Sequence, residues 1–455
     1  MSKATGNIND LETRPIGRLL WEYSLPAVVG MLVLSLYNVI DRIFIGQGVG
    51  ADAIGGLAIT FPVMNISAAI GLLIGAGAAA RVSILLGAKD QRGAEQVLGN
   101  ALVLILVNAI IYLAIFAIFI DEILVQFGAS EATLPYARDF MMWLLPGMLV
   151  MNVMFSFNSI MRSSGYPAKA MVTMIIGTIA NVILAPIFIF WLDMGIKGAA
   201  IATDISMMIS CVIVMRHFFD KSKTLHFVKG IYRLRWSVVY PIMAIGAAPS
   251  LVNVAGSAIN AIINNSLYEY GGDSAVAAAG IFTTYTSLLV TVVVGICQGL
   301  QPIIGYNYGA GRYDRLKRAF WLATIAGLLV TTIGAVFGKT CADLIARAFT
   351  IDQNLIDATV NGLSISLTSF YVVGFQIVAT TFLQSLGLAG KSIFLSLVRQ
   401  AIFLIPFLLI LPTYFGLDGV WASFPTADIF STTTAILMIW WEFRRLNRRQ
   451  LSPIA

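Results

Sequence analysis

Two histidines and three cysteines are all that this chain of 455 residues offers to metal and thiol chemistry. His217 and His226 share one basic stretch, and Cys211, Cys297 and Cys341 are isolated, two of them in apolar runs. No disulfide framework, metal site, bound cofactor or catalytic residue is expected, and the cysteines read as small buried hydrophobes. No Walker-type lysine motif is present, so ATP is not expected to drive the protein directly. Charge is scarce as well: 11% of the residues are charged and 58% are hydrophobic. A membrane-embedded enzyme would need a His pair, a dyad or a metal cluster at membrane depth, and the chain carries none of these.

What it does carry is a series of apolar runs too long and too many for the core helices of a soluble protein. Twelve are expected to span a membrane: 19–45, 54–86, 95–120, 133–161, 168–191, 196–216, 239–268, 276–306, 316–338, 356–386, 392–414 and 419–442. A span needs about 20 mostly apolar residues. The polar head before the first run lacks a signal-peptide pattern, so the first span is expected to act as an uncleaved insertion signal.

The net charge of +6 invites a nucleic-acid reading, but its distribution argues against one. Lys89, Arg92, Arg162, Lys169, the bases between Arg216 and Arg235, Arg312 to Arg318, Lys391 and Arg444 to Arg449 fall at the chain ends and in alternate loops. The intervening loops hold Asp52, Asp121, Glu122, Glu131, Asp193, Glu269, Asp273, Asp343, Asp352 and Asp418. This is the positive-inside pattern and implies an even span count with both termini cytoplasmic.

The chain also repeats. A shift of 222 residues aligns Ala53 with Ala275, Gly77 with Gly299, Gly87 with Gly309, Ser163 with Ser385 and Lys169 with Lys391. Six spans per repeat give a parallel repeat about an axis along the membrane normal, with a cavity between the lobes. The expected division is an N-lobe at 1–216, a cytoplasmic linker at 217–238 and a C-lobe at 239–455. The halves differ at one acid. Asp41 lies fifteen residues after Pro26, and fifteen after the matching Pro249 stands Asn264. A carboxylate inside a span costs several kcal/mol or more unless a cavity, cation or proton answers it. Tyr37 and Asn38 share its helix face. The N-lobe is therefore expected to handle a coupling ion.

The segments LYNVIDRIFIGQGVGADAIGGLAI, FPVMNISAAIGLLIGAGAAARVSILLGAKDQRGAEQVLGNAL, NVILAPIFIFWLDMGIKGAAIAT and GICQGLQPIIGYNYGAGRYDRLKRAF resemble the multidrug and toxic compound extrusion (MATE) family. The resemblance is to the bacterial branch with the DinF-like and MepA-like exporters and runs from about residue 15 to 445. It implies an all-α membrane protein of twelve helices in two six-helix lobes. It also implies a secondary exporter of amphipathic, often cationic compounds, driven by protons or sodium ions through rocking-lobe alternating access in the bacterial inner membrane. By the same resemblance the coupling site falls on Asp41, Asn181 and Thr203, lined by Tyr37 and Asn38, with Asp204 as a possible compensating charge. Related exporters often carry a second aspartate where this chain has Ala185, so a site built from two carboxylates does not transfer intact. The proton is preferred over sodium. Ala185→Asp is expected to add an acid one turn from Asn181 with little loss of folding.

Other polar residues carry weaker signals. Asn264, Asn265, Gln298 and Gln301 read either as the lining of a C-lobe cavity or as interhelical hydrogen bonds. Met31, Met64 and Asn158 are further candidates for the substrate cavity, and soft methionines suit varied ligands. Arg399 and Asp428, within the eleventh and twelfth spans, read as a buried pair, with a structural role preferred over substrate contact. The Gly-rich runs at 71–77 and 295–299 read as close-packing surfaces. Expected partners are small amphipathic molecules and membrane lipids, with no nucleic acid, and the protein is expected to be a monomer. A lipid-linked oligosaccharide flippase is the alternative, though it would call for more intramembrane basic residues. One expectation is open to direct test: a reporter fused after Ala455 and a tag inserted near Lys223 should both be cytoplasmic, and finding either outside would overturn the twelve-span topology.

Overall fold

Backbone inside a bilayer must satisfy its hydrogen bonds within the protein, which leaves helices as the simplest solution for long apolar runs. The computed structural model describes residue 8 and residues 10–48, 51–131 and 133–451; the side chains of Asn38 and Arg42 lie outside the described residues. No strand occurs among the described residues. The first half contains α1 (Ile16–Gly48), α2 (Ala51–Gly87), α3 (Gln91–Gln126), α4 (Leu134–Ser163), α5 (Pro167–Pro186) and α6 (Gly195–Phe219). A π-helical stretch, Ile187–Trp191, continues α5 after Pro186. The second half contains α7 (Trp236–Gly309), α8 (Tyr313–Thr340), α9 (Gln353–Ser366), α10 (Val373–Ser385), α11 (Ala389–Leu397) and α12 (Ile405–Leu451). A second π-helical stretch, Val398–Leu404, joins α11 to α12.

Nine helices among the described residues are long and apolar enough to cross a membrane, or ten when the bent pair α9 and α10 counts as one span. Two of the nine are far too long for one crossing, at 74 and 62 residues. Each is broken at a glycine in left-handed backbone, Gly272 (φ 64°) and Gly416 (φ 57°), where a residue with a Cβ would be strained. Gly256 and Val290 line one cavity, yet on a straight helix they would be about 51 Å apart. The chain therefore doubles back at Gly272. Arg399 bonds to Asp428, 29 residues on, so it doubles back at Gly416 too. Counting both as hairpins brings the described spans to twelve.

By packing, the chain forms two compact units. Unit 1 takes the N-terminal stretch ending at Thr13 together with Val29–Asn253, and unit 2 takes Arg14–Val28 together with the chain from Val254 onward. Membership changes just after Pro26 and just after Pro249, two prolines that stand 223 residues apart. Within unit 2, Arg315 Nη2 donates to the Arg14 carbonyl at 2.6 Å, and Ser24 Oγ donates to the Ile296 carbonyl at 3.2 Å. The glycine runs make these approaches possible. In unit 1 a methyl group at Gly77 would overlap the Ile242 carbonyl oxygen, and in unit 2 one at Gly299 would lie 2.5 Å from the Ser24 nitrogen. Equivalent glycines thus seat the start of a proline-bearing helix in each unit, as expected for close-packing surfaces.

The segment after α6 is bound into unit 1. Asn100, fully buried on α3, donates to the Ile231 and Arg233 carbonyls at 3.1 and 3.2 Å and accepts from the Arg235 N–H at 3.0 Å. Phe227 packs among Phe157, Phe218, Phe219 and Tyr232. Asp220 accepts from the Ser222 N–H at 3.0 Å and pairs with Lys223 at 3.3 Å. The Ser222 hydroxyl and N–H, helped by Lys223, hold the exposed carboxyl down at about 2. A depressed acid stabilises the fold above its ordinary pKa, so this contribution is lost only as pH falls through about 2. Asn100→Ala strips three backbone groups of their partner at a cost of about 1–3 kcal/mol for each one left buried. Tryptic cleavage after Lys229 and Arg233 should become several-fold faster, while a cleavage rate equal to wild type would mean that Asn100 does not hold the segment.

Candidate functional site

Thr203 is the centre of a polar cluster in unit 1. Gly195–Phe219 carries Thr203 and presents it, buried, between α1 and α5. The Asn181 Nδ2 of α5 donates to Thr203 Oγ1 at 3.2 Å. Tyr37 Oη of α1 lies 3.2 Å from the same oxygen, in a hydrogen bond that either hydroxyl can donate. A threonine hydroxyl offers one donor and two acceptor sites, so one residue can hold both partners. Tyr37, Asn181 and Thr203 are all buried. Three residues from three spans that share no sequence neighbourhood thus converge on one oxygen.

Asp41 is half-buried one helical turn beyond Tyr37, the spacing that places two side chains on one helix face. Its charge, and more weakly that of Asp204, acts on Tyr37. Asn38 was expected in the same lining, and its side chain lies outside the described residues. Asp204 follows Thr203 but is turned about 100° around the helix. Its carboxylate packs against the backbone of Gly147 on α4, where a Cβ would overlap Oδ1. Asp204 therefore faces α4 and hydrogen-bonds to none of the three clustered residues.

Beside the cluster lies a cavity of about 10 Å³ lined by Tyr37, Asn181, Met154, Phe155, Met174 and Met207, among others. That is the space of about one water. It suits a water, a hydrated proton or one small monovalent cation held by oxygen ligands, and excludes an organic molecule. No group of three or more His, Cys, Asp or Glu that could hold a metal ion occurs among the described residues.

Several expected residues stand elsewhere. Asn158 donates to the Ala170 carbonyl and Thr173 Oγ1, both at 2.8 Å, and accepts from Arg162 Nη1 at 2.9 Å, so its amide is committed to its own unit. Met64 packs against an apolar core cluster, and Met31 is half-buried on α1. In unit 2, Asn264 lines a cavity of about 300 Å³, but Asn265, Gln298 and Gln301 do not. Arg399 and Asp428 form the expected pair and also line that cavity, together with Asn260 and Gln400. Asn260 went unread in the sequence, although its spacing of four from Asn264 is the helical signal for a shared face.

Ala185 needs a correction. It is fully buried in the same core cluster, among Ile189, Ala199, Ala200 and Ala202. An aspartate there would meet apolar packing as well as Asn181, and burying a charge without a partner is costly. The folded yield of Ala185→Asp should drop clearly, contrary to the small effect that spacing alone suggested. Thr203 gives the sharper test. Thr203→Val leaves Tyr37 and Asn181 facing a methyl group and should cost about 1–3 kcal/mol, read as a lower unfolding midpoint in detergent, whereas Thr203→Ser should stay near wild type. Equal midpoints for the two variants would show that the hydroxyl is not the hub.

The MatE family model matches the chain twice, over residues 26–187 and 249–410, so each match begins at one of the paired prolines. Among curated proteins, the multidrug export protein MepA of Staphylococcus aureus (strain MSSA476) is 27% identical over 431 residues, 94% of each chain. Among solved structures, the MATE multidrug transporter DinF-BH, determined in complex with R6G, is 36% identical with a TM-score of 0.86, covering 94% of this chain and 96% of that one. An outward-facing multidrug resistance MATE family transporter of the MOP superfamily superposes with a TM-score of 0.91 at 24% identity, over 98% of this chain and 99% of its own. At that identity the last likeness speaks to the fold alone.

Proposed function

The chain belongs to the MatE family, and on that footing we propose that it is a cation-coupled exporter of amphipathic, often cationic compounds in a bacterial plasma membrane. The export reading is supported by the names of relatives aligned along nearly the whole chain, MepA and DinF-BH among them. The coupling reading rests on one observation: Asp41 stands one helical turn from Tyr37, which meets Thr203 and, through it, Asn181, and Tyr37 and Asn181 line a space for about one water. A carboxylate in that setting is costly while charged and is relieved by a proton or a monovalent cation. Asp41 is the group that takes the ion, Thr203 and Asn181 offer neutral oxygens, and Tyr37 links α1 to α6 through Thr203.

A ligand can shift a conformational equilibrium only by its differential affinity for the two states. In the proposed cycle, neutralising Asp41 changes how α1 packs against α5 and α6 and disfavours the drug-bound outward state, so that substrate leaves outside. The change from one state to the other is a rocking of one lobe against the other, with both termini cytoplasmic. With one carboxylate at the cluster, one proton or one monovalent ion is neutralised there per cycle, and the proton is preferred because Ala185 withholds the second acid. The flippase alternative draws less support: Arg162 is bound to Asn158 and Ser159 in unit 1, and Arg399 pairs with Asp428 in unit 2, so these two bases do not cluster for phosphates.

Asp41→Asn keeps the size and removes the titrating charge. Gradient-driven efflux of a cationic dye from cells should fall to the level of cells lacking the protein, with expression and membrane insertion unchanged. Wild-type efflux by this variant would move the coupling site elsewhere, with Asp204 the next residue to test.

A further inference from the structure

Unit 2 contains a cavity that the coupling reading leaves unused. Its volume of about 300 Å³ is at the lower end of small-molecule pockets. Phe282, Phe370 and Phe424 supply apolar and aromatic wall, and Arg399, Gln400 and Asp428 supply a polar one. Arg399 and Gln400 belong to the π-helical stretch Val398–Leu404, a feature frequent at functional sites because the extra residue per turn re-aims side chains.

The polar wall is only partly satisfied. Arg399 Nε donates to Asp428 Oδ1 at 2.6 Å. That contact takes one of the five N–H groups of a guanidinium. The Nη groups engage no acceptor among the described residues, and the side chain keeps 28% exposure. Asp428 is 1% exposed, and its Oδ2 is buried without a hydrogen-bond partner, as is Gln400 Oε1. A buried acceptor left unpaired costs free energy comparable to a lost hydrogen bond, so both oxygens stand ready for a donor brought by a ligand.

Charge decides what kind of ligand. Arg399 and Asp428 are the only charged residues lining the cavity among those described, and together they are neutral. An organic cation could reach Asp428 Oδ2, but the charge of that carboxylate is already balanced by the guanidinium on Oδ1, which the cation would also face. A carboxylate ligand would meet free, planar N–H donors in the geometry that suits it. We propose that this cavity is a binding site for a small aromatic molecule bearing a carboxylate, its oxygens on the Nη donors of Arg399 and its ring against Phe282 and Phe424. A hydroxyl or amide N–H on the same molecule satisfies Asp428 Oδ2 and Gln400 Oε1. Unit 1 answers cations at Asp41, and unit 2 takes the opposite sign.

The test uses the full-length protein in lipid nanodiscs, with 2-naphthoate and its positively charged counterpart 2-naphthylmethylamine as probes. Titration calorimetry is run without any gradient and with protein-free nanodiscs subtracted, so the outcome is independent of the coupling site. The expected result is saturable 2-naphthoate binding at one site, with the amine about tenfold or more weaker, the loss anticipated when a charged hydrogen bond is missing. Arg399→Gln should remove the preference for the acid. Because that variant strands Asp428, the double variant Arg399→Gln/Asp428→Asn keeps the site neutral and should do the same. Thr283→Phe fills the cavity from an exposed position on its wall and should abolish binding of 2-naphthoate. Equal affinity for acid and amine, naphthoate binding that survives Thr283→Phe, or a signal no larger than that of protein-free nanodiscs would each overturn the proposal.

Discussion

A membrane interior offers no water to a stranded polar group, and that constraint organises this chain at every scale. It makes the backbone helical through the spans, with reversals at residues in left-handed backbone, Gly272 and Gly416 among them. It also governs the side chains. Asn158, Asn181, Ser156 and Ser24 are buried, and each has a protein partner. Among the buried oxygens left without a hydrogen bond within the described residues are Asp428 Oδ2 and Gln400 Oε1, which share one cavity in unit 2, alongside scattered hydroxyls such as Thr324, Ser392 and Thr432. In a bilayer such groups are expensive, and two of them on one cavity wall are the strongest sign of an unmet partner.

The two halves keep one framework and vary its polar chemistry. Gly77 and Gly299 do the same packing work, and the family match begins at Pro26 and again at Pro249. Within that shared frame, unit 1 carries Tyr37 and Asn181 beside a space of about 10 Å³, whereas unit 2 carries Asn264 beside a space of about 300 Å³ with an arginine in its wall. One site has the dimensions of an ion and the other those of a molecule.

Much of this was legible in the sequence. Apolar runs and the 222-residue repeat reported the spans and their doubling, because hydropathy is a local property that the bilayer reads directly. Tyr37, Asn181 and Thr203 were singled out as one site and do meet at one oxygen. The environment of Ala185 was not legible: spacing put it on the face of Asn181, but only packing reveals the apolar neighbours from α6 that close over it. Asn158 likewise looked available and is bound on both ends of its amide. Nor could the sequence report the open Nη groups of Arg399, since a pair and a half-used pair have the same residues. What resists a sequence reading in each case is a contact between spans distant along the chain.

The central claim is that the cluster around Thr203 couples a single cation at Asp41, and that the cation is a proton. The most direct measurement uses purified wild-type protein in sealed proteoliposomes loaded with a cationic dye. A pH gradient is imposed at equal sodium, and separately a sodium gradient at equal pH. Dye movement should follow the pH gradient and remain at the background rate under sodium alone. Movement driven by sodium at fixed pH, with no response to the pH gradient, would contradict the account, because the oxygens present without a second aspartate would then already form a working sodium site.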